Sequence, residues 1–372
     1  MEKTTTYVGI DDHKDSLHLA VLRPDGKKAE LLEIPHEPQA IRRLAGRLLK
    51  AAPGPVECCY EAGCNGFLLQ RRLRSAGLGC QVVAPSLTPR RPGERIKTDR
   101  RDAVKLAEYL KAGLLAEVQP PSEAEEAARD LCRRREQVRR DLTQERQRLS
   151  RWLQRRGLRY GKKSRWTKHH RQWLWSLRPE QVADRYSLQD QLLSLDQLEF
   201  RRQELDRVIE ALSQSDPYRE PVGWLRCFRG VDTLTAMVLA TELYNVARFS
   251  NPRQLMAYLG LVPGEYSSGA RQRRGGITKA GNTYARRILI EAAWHARHRP
   301  AVSQVLRKRR EGQPAEIIAL ADRAQVRLRK RYYHLLLDSK KPYNQAVTAV
   351  ARELAGFVWA ALQGPQALPV AA

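Results

Sequence analysis

The stretch KTDRRDAV, Lys97 to Val104, holds two aspartates three residues apart among Lys97, Arg100 and Arg101. On a helix that spacing directs Asp99 and Asp102 from one face. Two further acids end apolar runs: Asp11 in YVGIDDH and Glu61 in VECCYEAG. Carboxylates converging from two strand ends and one helix face would form a cage of oxygen ligands, the donor set preferred by hard divalent ions such as Mg2+. Paired ions held in this way stabilise the attacking and leaving oxygens of a phosphoryl transfer. The bland alternative is a solvated charge cluster, because a DxxD pair often only caps a helix. Asp12 follows Asp11 directly, so its side chain is directed to the other side of the strand and is expected to be a surface acid.

The elements that must position these acids can be traced along the chain. YVGIDDH is a strand, and LHLAVLRPDGKKAELLEI gives two more around the turn Pro24-Asp25-Gly26. Ile41 to Leu49 has helical spacing, VECCYEAG and CQVVAP are short apolar strands, and Thr98 to Lys111 is helical again. A three-strand meander followed by helix, strand, helix, strand and helix predicts an α/β domain over residues 1–118: a mixed sheet with helices on its faces. This strand–helix order is that of a ribonuclease H-like nuclease domain.

Residues 119–218 are different. Apolar residues recur at Leu131, Val138, Leu142, Leu149 and Trp152, and again from Leu188 through Leu192, Leu195, Leu205 and Ile209 to Leu212. Steps of three, four and seven predict two long coiled-coil helices. They either fold back as an antiparallel hairpin or pair with a second subunit. Between them, Trp152, Tyr160, Trp166, Trp173 and Trp175 are interleaved with Arg155, Arg156, Lys162, Lys163 and other bases. Cations neutralise phosphates and exposed aromatic rings stack on bases, so a nucleic-acid contact is expected here.

Residues 219–372 are mainly helical. LRCFRGVDTLTAMVLATEL has the form of a helix-hairpin-helix, whose second helix would offer its N-terminus to phosphate. Ser250 is the expected cap of the next helix, with Pro252 at an early position. YSSGARQRRGGITKAGN is a polar, glycine-rich loop with no core pattern, ringed by Arg271, Arg273, Arg274 and Lys279. Helix resumes from Thr283, and the tail from residue 364 has a frayed composition.

The charge balance names the partner class. Against 41 Asp plus Glu stand 67 Lys plus Arg, a net charge of +26 over 372 residues. Such a surface calls for a polyanion, nucleic acid before an anionic membrane. No apolar run has the length of a membrane span and the N-terminus lacks signal-peptide form, so a cytoplasmic, nucleoid-associated protein is expected. The six cysteines form no CxxC pair. Cys58, Cys59, Cys64 and Cys80 sit in apolar stretches and are expected to be buried free thiols. His295 and His298 have ligand spacing but no acidic or cysteine companion.

VGIDDHKDS, YEAGCNGFLLQRRL, VVAPSLTPRRPGERIKTDRRDAVKLAEYL and YLGLVPGEYSSGARQRRGGITKAGN together resemble the DEDD-type insertion-sequence transposases, the RNA-guided bridge recombinases, over most of residues 6–300. The resemblance implies a resolvase-like nuclease domain whose acids are Asp11, Glu61, Asp99 and Asp102, a coiled coil, and a C-terminal transposase domain with a catalytic serine. The family serine precedes glycine, which assigns it to Ser268 and leaves Ser267 as its neighbour. The family usually has an apolar residue where this chain has Asp12.

The implied activity is DNA cutting and rejoining with Mg2+, a guide RNA and a homo-oligomer, dimer or tetramer, with donor and target DNA as substrates and no membrane. Two rivals use fewer of these residues. A Holliday-junction-type endonuclease would need only the four carboxylates and water. A nucleic-acid-binding scaffold would need only the charge and the tryptophans.

Overall fold

The computed structural model describes residues 4–24, 26, 28–89, 98–268 and 273–368, and of Arg274 only the backbone. The chain divides into two compact units, 1–121 and 122–372. Lys97, Arg271 and Asp25 of the expected turn lie outside the described residues.

The first unit is a mixed sheet between helical layers. Its elements are β1 (Thr6–Asp12), β2 (Ser16–Leu22), β3 (Glu30–Pro35), α1 (Pro38–Ala51), β4 (Val56–Glu61), α2 (Leu68–Ser75), β5 (Gly79–Val83), α3 (Asp99–Lys111) and β6 (Glu117–Val118). The strand order is β3-β2-β1-β4-β5-β6. β1 runs parallel to β4 and β4 to β5, while β2, β3 and β6 join antiparallel. The expected meander and strand–helix alternation are present, consistent with a ribonuclease H-like arrangement, and β6 is added at the edge.

Alternation along the strands sorts side chains between two faces. Val8, Ile10, Leu17, Leu19, Cys58 and Tyr60 pack with Ile41 and Leu44 of α1 and Leu69 and Leu73 of α2. On the other face lies α3, with Ala103 and Ala107 against Ala20, and Leu106 and Leu110 against Cys59 and Val83. Gly9 sets this approach. A Cβ there would stand 2.1 Å from the Ala103 carbonyl oxygen and 2.4 Å from the Ala107 nitrogen. Only a glycine lets α3 lie directly on β1, and that contact brings its first turn to the end of the strand that carries Asp11.

The second unit starts with α4 (Glu123–Arg155), α5 (Lys168–Ser176) and α6 (Val182–Leu212). A capping box opens α4: Ser122 Oγ accepts from the Glu125 N–H and the Glu125 carboxylate accepts from the Ser122 N–H. The two long helices pair within the chain as an antiparallel hairpin. Arg135 bonds Asp206, Arg146 bonds Glu199 and Arg156 pairs with Asp184, so position rises on one helix as it falls on the other. Leu142, Leu149, Trp152, Leu188, Leu192 and Leu195 fill the seam with Leu174 of α5. The other end of α4 contributes Ala128 and Cys132 to the main core of the unit.

That core gathers α7 (Arg219–Arg226), α8 (Thr233–Leu243), α9 (Pro252–Tyr258), α10 (Thr283–Ala293), α12 (Ala315–Tyr333) and α13 (Tyr343–Leu362), while α11 (Gln304–Arg310) lies against α7 outside it. The cap of α9 is Asn251 rather than Ser250: its Oδ1 accepts from the N–H groups of Arg253 and Gln254. The glycine-rich segment is not wholly loop. β7 (Pro263–Glu265), just before it, pairs antiparallel with β8 (Arg274–Ile277) inside it.

Five of the six cysteines are buried free thiols, but Cys64 is exposed, because it lies just past the end of β4. Among the described residues no helix is long and apolar enough to cross a membrane.

Glu136 of α4 is a buried anion in the second unit. Arg139 donates two hydrogen bonds of 2.8 Å to it, Arg140 donates one of 3.0 Å, and Arg287 Nη2 stands at 2.9 Å. Burial pushes its pKa up, but the three guanidinium groups outweigh this and hold it down at about 2, against an ordinary 4.5. A depressed carboxylate stabilises the fold fully above its unfolded pKa and loses that contribution as pH falls through the folded one. Glu136→Gln should therefore cost about 2 kcal/mol at neutral pH, after discounting for the exposed Arg139 and Arg140. The deficit should shrink between about pH 4.5 and pH 2. Urea melts of both proteins across that range check this.

Candidate active site

Register aligns the acids of the first unit in a row. Asp11 pairs with His18 across β1 and β2, and His18 pairs with Glu33 across β2 and β3. Ile10 is opposite Tyr60 on the parallel strand β4, so the next positions, Asp11 and Glu61, are neighbours. Cross-strand partners share a sheet face, and this is the face covered by α3. Thr98 caps α3 by accepting from the Arg101 N–H at 3.4 Å, which starts the helix at Asp99 and sets Asp102 in its first turn.

Two of the four acids meet at one imidazole. His13 Nε2 is 3.3 Å from Asp11 Oδ2 and 3.5 Å from Asp99 Oδ2. His18 Nε2 is 3.7 Å from the same Asp99 oxygen. Among the described residues, the grouping with ligand spacing is His13, His18 and Asp99. Glu61 is placed by register and Asp102 by the helix turn, and neither joins that grouping. Asp11 is a quarter exposed and Asp99 half exposed, so their oxygens are reachable by an ion and by a phosphate.

Asp12 is not a surface acid. Its side chain is 7% exposed on the α1 and α2 face, where Oδ1 accepts from Asn65 Nδ2 at 3.0 Å and lies 3.3 Å from His36 Nδ1. The same His36 nitrogen is 2.9 Å from the His13 carbonyl oxygen. Asp12, His36 and Asn65 thus brace the turn that carries His13. The sequence reading missed His13 and His18, which look like ordinary turn and strand residues. The signal was the β1–β2 register, because a short turn at His13-Lys14-Asp15 puts His18 opposite Asp11.

In the second unit Ser267 and Ser268 follow β7 and both are exposed. They differ in engagement. Ser267 Oγ donates to Glu265 Oε1 at 2.7 Å and accepts from the Arg273 N–H at 3.3 Å, which ties it into the ribbon. The ribbon is rooted firmly. Arg286 of α10 is buried and Nη1 donates to the carbonyls of Leu259 and Ala280, both at 2.8 Å, one on each arm. Gly281 has φ +65°, and a Cβ there would stand 1.9 Å from the Tyr258 oxygen.

Behind the root, the buried Glu242 carboxylate accepts from Arg133 Nε at 2.7 Å and Nη2 at 2.9 Å, and from Asn282 Nδ2 at 2.6 Å. Asn282 in turn caps α10 through the N–H groups of Tyr284 and Ala285. Lys279 is exposed beside this root, and Arg273 is exposed at the other end of the ribbon beside Ser267.

The tryptophan-rich segment forms a cap on the helical hairpin. Trp152 is buried, with the Arg156 guanidinium 4.0 Å from its ring centre, and Trp166 is partly buried beneath Arg146 at 5.2 Å. Tyr160 and Trp173 pack round His170. Most of these rings therefore anchor the cap. Trp175 is 39% exposed and lines a shallow open groove with Trp166, Lys168, Arg171 and Gln172. Arg155, Lys162 and Lys163 are exposed. Arg156 is engaged by Asp184 as well as by Trp152.

The turn between α7 and α8 has Gly230 at φ +84°, but Asp232 already caps α8 by accepting from the Thr235 N–H at 2.8 Å. A carboxylate thus sits where a phosphate was expected.

A mixed sheet whose strand ends carry acids under a helix with two more is consistent with a ribonuclease H-like DEDD domain. Residues 8–156 match the profile of the DEDD transposases of the IS110 group, and residues 224–307 match the one described as Transposase IS116/IS110/IS902 family. A putative transposase, y4qE, of Sinorhizobium fredii is 40% identical over 95% of this chain and 87% of its own length. The transposase for insertion sequence element IS1533 of Leptospira borgpetersenii is 35% identical over 91% of this chain and 99% of its own length. The chain belongs to the IS110 family of insertion-sequence transposases. Its substrate is accordingly DNA, cut and rejoined in transposition, and transposases of this type normally use divalent metal ions.

Proposed function

We propose that the protein is an RNA-guided recombinase in which Ser268 is the nucleophile and Asp11, Glu61, Asp99 and Asp102 hold Mg2+. The observation that carries the serine assignment is the contrast within the pair: Ser267 is tied to Glu265 and the Arg273 backbone, whereas the Ser268 hydroxyl makes no hydrogen bond among the described residues. The oxygen donors of the four acids suit Mg2+. Bound there, the ion would polarise the phosphate and stabilise the leaving oxygen.

The Ser268 oxygen attacks the scissile phosphorus and the bond to the deoxyribose oxygen breaks, leaving a phosphoserine-linked end and a free hydroxyl. The bond energy is conserved, so rejoining by that hydroxyl needs no nucleotide cofactor. Arg273, Arg274 and Lys279, with Arg271, hold the phosphate as cations. They are poor bases at neutral pH, so activation is assigned to the carboxylate site. Two DNA ends with two strands each need several active sites, which a homodimer or tetramer would supply. Denaturing a reaction with end-labelled DNA and resolving it by mass tests the reading, because a labelled protein band is expected.

Guidance by RNA draws support from the net charge of +26 and from the basic cap on the helical hairpin. If Arg155, Lys162 and Lys163 contact phosphates, neutral substitutions there should flatten the salt dependence of RNA affinity. The log–log slope should fall by about one unit per contact removed. A filter-binding titration at several salt concentrations checks this. An unchanged slope would assign the phosphate contacts to another surface.

A further inference from the structure

We propose that His13, His18 and Asp99, with Asp11 as fourth donor, form a nitrogen-containing site for a first-row transition ion such as Zn2+, Cu2+ or Co2+. The proposal rests on the carboxylate reading above only in that Asp11 and Asp99 are shared.

The argument begins with spacing. The ligating atoms of His13, His18 and Asp99 all lie within 4.8 Å of one another. The individual separations are 3.3 Å from His13 Nε2 to Asp11 Oδ2, 3.5 Å from His13 Nε2 to Asp99 Oδ2 and 3.7 Å from His18 Nε2 to Asp99 Oδ2. A tetrahedral ion with ligand distances of about 2.0 to 2.1 Å separates its donors by about 3.3 Å. His13, His18 and Asp99 need only small shifts to close on one ion, and Asp11, whose Oδ2 stands beside His13 Nε2, approaches as the fourth donor.

Chemistry decides the class of ion. Imidazole nitrogens suit zinc, copper, nickel and iron, whereas Mg2+ takes oxygens and keeps its waters. Two histidines in the donor set therefore select against the ion that the four acids alone would take.

Glu33 provides an independent indication. Metal-bound histidines usually turn the other ring nitrogen to a carboxylate, which fixes the tautomer and raises the basicity of the ligating nitrogen. His18 Nδ1 is buried and has no hydrogen-bond partner. Glu33 Oε2 stands 3.7 Å from it, held opposite by the β2–β3 register. With the proton on Nδ1, the lone pair of Nε2 points to Asp99. Asp12, His36 and Asn65 fix the turn bearing His13, so the second imidazole is held as well.

An ion at this site would engage two of the four acids assigned to Mg2+. The two sets would then compete, and the identity of the ion would decide which arrangement the carboxylates adopt.

The test uses the full-length protein and two metal probes. Wild type with Co2+ should show the strong visible bands of a four-coordinate nitrogen and oxygen site. With Cu2+, pulsed electron spin resonance should detect imidazole nitrogen coupling. Glu33→Gln, which leaves all ligands in place, should weaken Co2+ affinity about tenfold. His13→Ala and His18→Ala should each weaken it further and each reduce the nitrogen coupling from two imidazoles to one. Asp102→Asn should retain the coupling even where it abolishes DNA cleavage, so failure of the Mg2+ reading and failure of this one are distinguishable. Cu2+ bound to wild type with oxygen coupling only would overturn the proposal. So would Co2+ spectra and affinities unchanged in both folded histidine variants. The wild-type spectra decide the matter even where a variant fails to fold.

Discussion

Ser268→Ala is expected to fold, to bind DNA and RNA as wild type does, and to form no covalent protein–DNA adduct. The serine sits at the open end of a ribbon whose root is fixed by Arg286 on both arms, so loss of one exposed hydroxyl removes no packing. Ser267→Ala breaks the bonds to Glu265 and to the Arg273 N–H and loosens the ribbon. It should reduce adduct formation while leaving a detectable fraction. The readout is the labelled protein band after denaturation. A band that persists in Ser268→Ala would remove this residue as nucleophile. Cleavage by wild type that leaves water-derived ends and no adduct would favour a junction endonuclease working with the carboxylates alone.

Asp102→Asn should lower strand cleavage by about a thousandfold or more, on the scale of losing one preorganised electrostatic group from an active site. Asp102 lies in the first turn of α3 beside Asp99, and the substitution keeps the side-chain volume while removing a charge. Nucleic-acid affinity should change little. Because Ser268 is proposed to depend on the carboxylates, the variant should also form no adduct. Full cleavage by Asp102→Asn, or by wild type in excess chelator, would refute the metal-dependent reading.

The sheet was legible in the sequence because its strands carry strong apolar signals. Buried runs such as VECCYE and alternating ones such as SLHLAVL need no tertiary information to be seen. The long helices were legible through their period, and the intrachain charge pairs resolve the choice between hairpin and dimer that the period left open. β7 and β8 were not legible. They are three and four residues long, rich in glycine and arginine, and have no apolar alternation. They exist because Gly260 and Gly281 let the arms close on each other and Arg286 ties them.

At the site, the types and spacing of the acids could be read directly, but their setting could not. Burial of Asp12 depends on His36 and Asn65, which come from distant parts of the chain. Convergence of His13 and His18 on Asp99 depends on α3 settling over Gly9, a contact across nearly a hundred residues that no local pattern records.

The antiparallel hairpin is also a measure of length. A helix of 33 residues extends about 50 Å. One end of α4 is fixed in the main core through Ala128 and Cys132, and the other carries the aromatic cap through Leu149 and Trp152. The cap is therefore carried at a set reach by a stiff boom. Removing one heptad from each helix would keep the seam in phase but draw the cap in by about 10 Å, roughly three base-pair steps of duplex. Removing four residues would shorten the reach less and also rotate the cap out of alignment. The boom couples distance to orientation, so evolution can retune where the basic cap touches nucleic acid only in whole-heptad steps.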